Sequence, residues 1–484
     1  MRHFSSYGPV DADIHFAVDR SALVDLCVDQ LVGETGKGGH FFTIWAPRQT
    51  GKTWLAWQAR DEIRRRYGER FLVGSMSVQG TVLDEEEPAE AFLKGVPLLL
   101  WETFRTERRA PPVDWDAFRE LFAAASGLFD RPVILFIDEF DGLPHHVIDR
   151  LVTLFRDMYL KRDAYLLHGL ALIGVRAVLG VESRRGSPFN IQRSLHVPEL
   201  TEEEVADLFR QYQEESGQEV TDEVVGEVYR ATRGQPGLVG WFGELLTEKH
   251  NPGAGAAIDL AVWRKAYRAA LSREWNNTVL NLVKKAQDEH LPRVIELFGR
   301  ADVPFKLDAA WCNYLYFNGI IDAQTAADAQ GEEVDVCRFS SPFVQERLYN
   351  ALADELVGDR TPLLALEPLD ELTDVFQGDS LNLPALLDRY RAYLQRLTAK
   401  GIDPWQKQPR RADLRLTEAV GHFHIYAWLQ QAVGRRCVVS PEFPTGNGKV
   451  DLHLLCGATR GVIEVKSFVD QYELARSREQ AARY

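Results

Sequence analysis

Gly51, Lys52 and Thr53 stand together behind an apolar run, Phe41-Phe42-Thr43-Ile44-Trp45, and a short turn, Ala46-Pro47-Arg48-Gln49-Thr50. Each residue type has a use in gripping phosphate. A glycine lets the backbone curl tightly, free amides at a helix N-terminus face the anion, lysine brings charge, and a threonine hydroxyl can meet magnesium. The order fits the Walker A pattern G-x-x-x-x-G-K-[ST], with Ala46 in place of the first glycine. Alanine is small enough to serve there if its φ stays negative. On this reading Arg48, Gln49, Thr50, Gly51, Lys52 and Thr53 surround the phosphates of ATP, and Thr53 also faces Mg²⁺.

A second set lies in Val133-Ile134-Leu135-Phe136-Ile137-Asp138-Glu139. An unbroken apolar run that ends in acids suits a strand of a parallel sheet buried on both faces, with the acids at its ligand-binding end. This has the form of a Walker B strand. Asp138 would then hold Mg²⁺, through water, and Glu139 would polarise the attacking water. A further apolar run from Tyr165 to Val175 delivers Arg176, where a sensor for the γ-phosphate would lie. A surface arginine paired with an acid is the alternative for that residue.

The third set is Glu418, Asp451, Glu464 and Lys466. Val450 to Cys456 reads as a strand, Gly457 to Gly461 as a hairpin connection, and Val462 to Lys466 as the returning strand. Period-two spacing puts Glu464 and Lys466 on one face, and Asp451 can approach Glu464 from the neighbouring strand. Carboxylates offer the hard oxygens that bind Mg²⁺, leaving room for water and a scissile phosphate. Lys466 can steady the nucleophilic water or the charge of the transition state. Glu418 begins a helical pattern from Leu416 to Leu429 and could add a third carboxylate.

The elements that must position these sets can be read around them. Thr201-Glu202-Glu203-Glu204 opens a helix with a capping box, and Asp222 opens another that stops at Gly234-Gln235-Pro236-Gly237, where a third starts and runs to about Lys249. The acidic run from Asp84 to Glu87 reads as solvated surface before a helical stretch. From Leu291 the pattern is helix, turn, helix, then Tyr314 to Ile321, a polar loop, a short strand Val334 to Phe339, and a helix through Leu356. Residues 357–410 are helical with breaks at Pro362, Pro368, Pro384 and Pro404.

The chain has 484 residues, 45% of them apolar, so about three domains are expected. The net charge of −15 argues against one continuous nucleic-acid surface, yet residues from Gly401 onward carry +3 and the rest −18. The C-terminal segment is thus the expected polyanion contact. Cys27, Cys312, Cys337, Cys437 and Cys456 stand far apart, with no C-x-x-C pair and no secretory segment, which suggests reduced thiols and a cytoplasmic location. No apolar run approaches the roughly 20 residues needed to span a bilayer.

Ala46 to Thr53, Val133 to Glu139, Leu172 to Arg176, Ser187-Pro188-Phe189-Asn190 and Gly234-Gln235-Pro236, in this order, resemble AAA-like ATPases of the STAND-related P-loop class. That resemblance implies ATP hydrolysis or ATP-gated rearrangement between core and lid, and a winged-helix accessory domain. A winged helix can read DNA. The acids Asp302, Asp308, Asp322, Asp328, Glu332 and Glu333 favour packing instead. Asp451, Glu464-Val465-Lys466, Glu418 and Gln480-x-x-x-Tyr484 resemble the PD-(D/E)XK nuclease superfamily, in particular its RecB-like members. Members of that superfamily usually continue beyond the helix on which Tyr484 lies, so a minimal core, completion by a partner and a shortened chain all stay open.

Together these imply an α/β protein: a P-loop parallel-sheet core over 1–197, a helical lid over 198–250, a winged-helix-like domain over 251–356, a helical connector over 357–410 and a restriction-endonuclease-like α/β domain over 411–484. The expected function is an ATP-regulated, Mg²⁺-dependent nuclease on DNA, in defence against foreign DNA or in processing of mobile DNA. It would be a homo-oligomer or a nucleotide-dependent assembly, without membrane attachment. The alternative is a regulatory ATPase switch whose nuclease-like tail is an interaction domain.

Overall fold

The structure is a computed structural model that describes residues 1–34, 38–84, 86–107, 109–174, 194–300, 302–327, 331–353, 363–377, 380–406, 408, 410, 415–442, 451–457 and 459–466. It divides into two compact units, residues 1–266 without 230–232, and residues 267–484 together with 230–232.

The first unit is built on a five-stranded parallel sheet. Its strands are β1 (Phe41–Trp45), β2 (Leu72–Ser77), β3 (Val133–Asp138), β4 (Leu167–Gly174) and β5 (Ser194–His196), in the spatial order β2-β3-β4-β1-β5. β4 therefore separates the strand that feeds the glycine-lysine turn from the strand that ends in Asp138. Alternate side chains of one strand point to opposite faces, and both faces are covered. Ile44, Ile134, Phe136 and Ile173 pack with Val24 and Leu31 of α1 (Ser21–Val32) and with Leu55 and Ile63 of α2 (Lys52–Tyr67). Leu135, Ile137 and Leu172 pack on the other side with Leu99 of α3 (Val96–Phe104) and, beyond the short α4 (Trp115–Glu120), with Leu151 and Phe155 of α5 (His145–Leu160). Each such side chain, fully buried, contributes about 1.5–3 kcal/mol, and this double cover is why β3 and β4 are nearly all apolar.

The helices α6 (Glu202–Ser216), α7 (Asp222–Thr232) and α8 (Pro236–Glu244) follow, and α9 (Leu260–Ser272) spans the division between units. Thr201 and Glu204 form the expected reciprocal cap of α6. Two strands escape the sequence reading. β5 is only three residues long, and β2 carries Gly74 and two serines in place of a continuous apolar run. Gly74 is needed because a Cβ there would lie 2.4 Å from the Phe104 ring.

The second unit opens with α10 (Asn277–Ala286), α11 (Leu291–Gly299) and α12 (Ala310–Phe317), then an antiparallel ribbon of β6 (Ile321–Ala327) and β7 (Glu333–Phe339), then α13 (Pro342–Ala353). Residues 321–327 are thus a strand where a polar loop is expected. Most of β6 is exposed, so no buried face imposes alternation on its sequence. The segment read as a helical connector contains a small hairpin, β8 (Phe376–Gln377) and β9 (Ser380–Leu381), before α14 (Leu383–Ala399). Next come α15 (Glu418–Val433) and an antiparallel sheet of β10 (Val438–Glu442), β11 (Asp451–Cys456) and β12 (Thr459–Glu464). Phe298, Tyr349 and Phe423 form its aromatic centre, with ring centroids 4.7 Å apart for Tyr349 and Phe423.

The hairpin differs from its expected form in one respect. Cys456 pairs with Thr459, so the connection is the two residues 457–458, with Gly457 at φ 61°, and the strand ends at Glu464, before Lys466. The expectation that all five cysteines are reduced thiols is also corrected. Cys437 and Cys456 form a disulfide, because the pairing of Val438 with Leu455 brings the two flanking positions face to face, with Cα atoms 4.2 Å apart. Cys27, Cys312 and Cys337 are free and buried.

Candidate functional site

The turn between β1 and α2 is held open by two left-handed residues, Gln49 at φ 60° and Gly51 at φ 93°. Gly51 caps α2 without a side-chain bond, so the first amides of that helix are available to an anion. Ala46 is buried and keeps a negative φ, which explains why alanine serves where the pattern has glycine. Thr50 is buried and donates to the Pro47 carbonyl at 3.0 Å, while Arg48 is exposed. Lys52 folds back on the loop, its ammonium donating to the Ala46 and Pro47 carbonyls at 2.9 and 2.7 Å. Burial pushes its pKa down to about 8, against the pull of Asp141, Glu139 and Asp138.

Thr53 and Asp138 meet although 85 residues separate them, the hydroxyl donating to Oδ2 at 2.7 Å. A hydroxyl and a carboxylate together at the phosphate end of the loop are the hard-oxygen donors Mg²⁺ requires, so these residues fit that ion. The other Asp138 oxygen accepts from the Glu139 amide at 2.9 Å, and Glu139 itself has φ 56°. Burial, then Asp138 and Asp141, raises the Glu139 pKa above the usual carboxylate value. Arg176 lies outside the described residues.

Sequence reasoning missed the parts that cover this loop. Gln235 donates from Nε2 to the Arg48 carbonyl at 3.0 Å, and the Gly237 amide donates to the Gln49 carbonyl at 3.2 Å. A Cβ on Gly237 would lie 2.4 Å from the Gln49 amide oxygen, so only glycine lets α8 approach so closely. Beside the loop opens an apolar pocket lined by Phe16, Val18, Gly51, Trp54, Leu200 and Pro236, among others. Its outer wall is the N-terminal segment, which is fastened to the helices that follow the sheet. Arg20 pairs with Glu204 at 3.2 Å, Gln211 donates to the Ala17 carbonyl at 2.8 Å, Ser6 donates to Glu244 at 2.8 Å, and Arg2 pairs with Glu215 at 2.7 Å. Among the described residues the Val18 backbone makes no hydrogen bond.

In the second unit the strand register sets Glu442, Asp451 and Glu464 in one row across β10, β11 and β12. Positions directly opposite in an antiparallel pair lie about 4.5–5.5 Å apart at Cα. Glu442 is a further residue the sequence reading missed, since nothing in its neighbourhood marks it. The Glu442 and Asp451 side chains lie outside the described set. Glu464 and Lys466 are brought together as expected, Nζ to Oε1 at 2.5 Å, both side chains 13% exposed. Glu418 stands in the first turn of α15, one helical turn before His422. Among the described residues no group of three or more His, Cys, Asp or Glu side chains stands close enough to hold a metal ion. Gln480 and Tyr484 lie outside the described residues.

No family model matches the chain, and no curated protein matches it. Solved structures similar to it include a Walker-type ATPase of Pyrococcus abyssi, 13% identical, covering 71% of this chain and 98% of its own, with a TM-score of 0.42. The RuvB Holliday junction branch migration motor of Thermotoga maritima is 16% identical over 66% of this chain and 92% of its own, with a TM-score of 0.34. The Orc1 protein of Aeropyrum pernix, in complex with DNA, is 14% identical over 70% and 94%, with a TM-score of 0.34. Likeness at this level leaves the chemistry to be read from the residues themselves. No helix among the described residues is long and apolar enough to cross a membrane.

Proposed function

We propose that the first unit binds and hydrolyses ATP and that the C-terminal part of the second unit is a nuclease-like domain acting on DNA under its control. The observation that carries the first half is the contact of Thr53 with Asp138 at the mouth of a loop whose helix amides have no side-chain cap. A triphosphate there takes the place of the Ala46 and Pro47 carbonyls as partner of the Lys52 ammonium. Bound Mg²⁺ would be held by Thr53 and Asp138 and would neutralise charge on the phosphates. Glu139, with its raised pKa, accepts a proton from the attacking water. The purine lies in the apolar pocket against Trp54 and Pro236, with its polar edge on the Val18 backbone, an arrangement that suits adenine. Arg176 reads the γ-phosphate.

The C-terminal half of the reading rests on the row Asp451–Glu464 beside Lys466. Asp451, Glu464 and Glu418 would hold Mg²⁺, and Lys466 supports the attacking water at a scissile phosphate. The ribbon and helices from α10 to α13 serve as a winged-helix-like packing domain, in keeping with the acids of its wing. Defence against foreign or mobile DNA is a role in which a gated nuclease is useful, because nucleotide binding to only one of two states keeps the cutter silent until needed. The reading includes a homo-oligomeric or nucleotide-dependent assembly in the cytoplasm.

Incubation of the full chain with DNA, Mg²⁺ and ATP tests this. The expected result is cleavage that Asp451→Ala abolishes, ATP turnover that Lys52→Ala abolishes, and turnover that survives Lys466→Ala while cleavage stops. Turnover with no cleavage by the unmodified protein supports the second reading, a regulatory ATPase with a binding tail. The close Glu464–Lys466 pair favours that alternative, since each charge already has its partner.

A further inference from the structure

Gly234-Gln235-Pro236-Gly237 stops one helix and starts the next, and each of its residues also has a specific place in the structure. Gly234 takes φ 76°, its carbonyl accepts from the Leu200 amide at 2.8 Å, and a Cβ on it would lie 1.8 Å from the Leu200 carbonyl oxygen. Gln235 is held at both ends of its side-chain amide. Its Oε1 accepts from the Leu238 amide at 2.5 Å as the cap of α8, and its Nε2 donates to the Arg48 carbonyl at 3.0 Å. Pro236 opens α8, where a missing N–H leaves nothing unpaired. Gly237 donates to the next carbonyl of the phosphate loop, that of Gln49, at 3.2 Å. The helix behind these contacts is firmly seated, with Leu238, Val239, Trp241 and Phe242 all buried.

Two successive loop carbonyls are thus tied to one buried helix. The peptides that carry them are trans, and in a trans peptide the carbonyl and the following amide point opposite ways. Fixing the Arg48 and Gln49 carbonyls toward α8 therefore turns the Gln49 and Thr50 amides away from it. The same ties hold Gln49 at φ 60°, a conformation that a non-glycine residue adopts only when its surroundings impose it. We propose that Gln235 and Gly237 are positioning residues of the ATP site: they set the phosphate loop so that its amides already face the triphosphate. The proposal rests on the reading of Ala46 to Thr53 as that loop. A cradle set in advance loses no affinity to ordering. Its removal weakens nucleotide binding and leaves the turnover rate of the filled site in place.

The test uses the full chain with three readouts: the dissociation constant of Mg-ATP, kcat at saturating ATP, and the urea midpoint. Gln235→Ser keeps a neutral cap on α8 but is too short to reach the Arg48 carbonyl. We expect it to weaken ATP binding about 3–10-fold, the worth of one hydrogen bond, with kcat and the urea midpoint unchanged. Gly237→Ala drives a methyl group into the Gln49 side chain and should weaken binding about tenfold or more. In a Gln49→Gly background, where the atoms it meets are gone, the same Gly237→Ala change should cost far less. Should the alanine variant fail to fold, Gln235→Ser decides alone. If Gln235→Ser binds ATP as tightly as the unmodified protein, or loses affinity only together with its urea midpoint, the positioning role is overturned. It is overturned equally if Gly237→Ala costs the same in both backgrounds. If Lys52→Met binds ATP like the unmodified protein, the phosphate-loop reading itself falls and the proposal with it.

Discussion

Lys52 is expected to make nucleotide affinity strongly dependent on pH in the alkaline range. In the free protein the ammonium is held against the Ala46 and Pro47 carbonyls, and burial brings its pKa to about 8. A bound triphosphate raises that pKa by direct attraction, so the charged form is the one that binds. The sign follows: below pH 8 most of the free protein carries the charge and affinity is level, and above it each pH unit removes tenfold of the competent form. Between pH 7.5 and 9.5 the dissociation constant should rise roughly 25-fold, close to 2 kcal/mol. The assay is titration of a fluorescent ATP analogue at constant ionic strength across that range, with Lys52→Met alongside. The variant should bind weakly at every pH, because it has no charge to lose. A level profile for the unmodified protein up to pH 9.5, or equal affinity of the variant, refutes the assignment of Lys52 to the phosphates.

Glu139→Gln should bind ATP with near-normal affinity while single-turnover hydrolysis falls about 10²–10⁴-fold, as measured by phosphate release. His422 and His424 are both buried, with pKa values lowered by burial to about 3 and about 4, the former also by Lys466. The unfolded chain therefore binds more protons, and stability is lost as pH falls from 6.5 toward 4, by up to about 2.7 kcal/mol per pH unit. Urea midpoints between pH 7 and 4 give that slope for the second unit, and a flat profile contradicts the burial. Cys456→Ser opens a loop with a sequence separation of 19 residues, which should cost about 3 kcal/mol. A urea midpoint no lower than that of the unmodified protein, or two alkylatable thiols at these positions before reduction, contradicts the disulfide.

Strong local patterns made the glycine-lysine loop and the acid-ended strand legible. Gly51-Lys52-Thr53 can be read because one backbone conformation demands that order, and Val133 to Asp138 because a strand buried on both faces must be apolar throughout. The coverings were not legible. Phe16, Val18 and Trp54 line the pocket as ordinary apolar residues, and Gln235 acts through a contact with Arg48 187 positions away. The approach of Asp451 to Glu464 was legible as two neighbouring strands, but their direct pairing comes from a two-residue connection shorter than expected, and Glu442 enters the row only through a register no local signal sets. The disulfide was hidden for the same reason, since Cys437 and Cys456 become neighbours only when β10 and β11 pair.

Because Arg2, Ser6, Ala17 and Arg20 are each fastened to α6 or α8, the first twenty residues form a belt that belongs mechanically to the helices and not to the sheet. Tyr7 sits on that belt with 76% of its surface in solvent. A dye attached there, with its mate on the exposed Trp57 position of α2, would follow any displacement of the belt against α2 as a change in energy transfer. Any fusion that tugs on the belt would equally be felt at the apolar pocket that the belt walls.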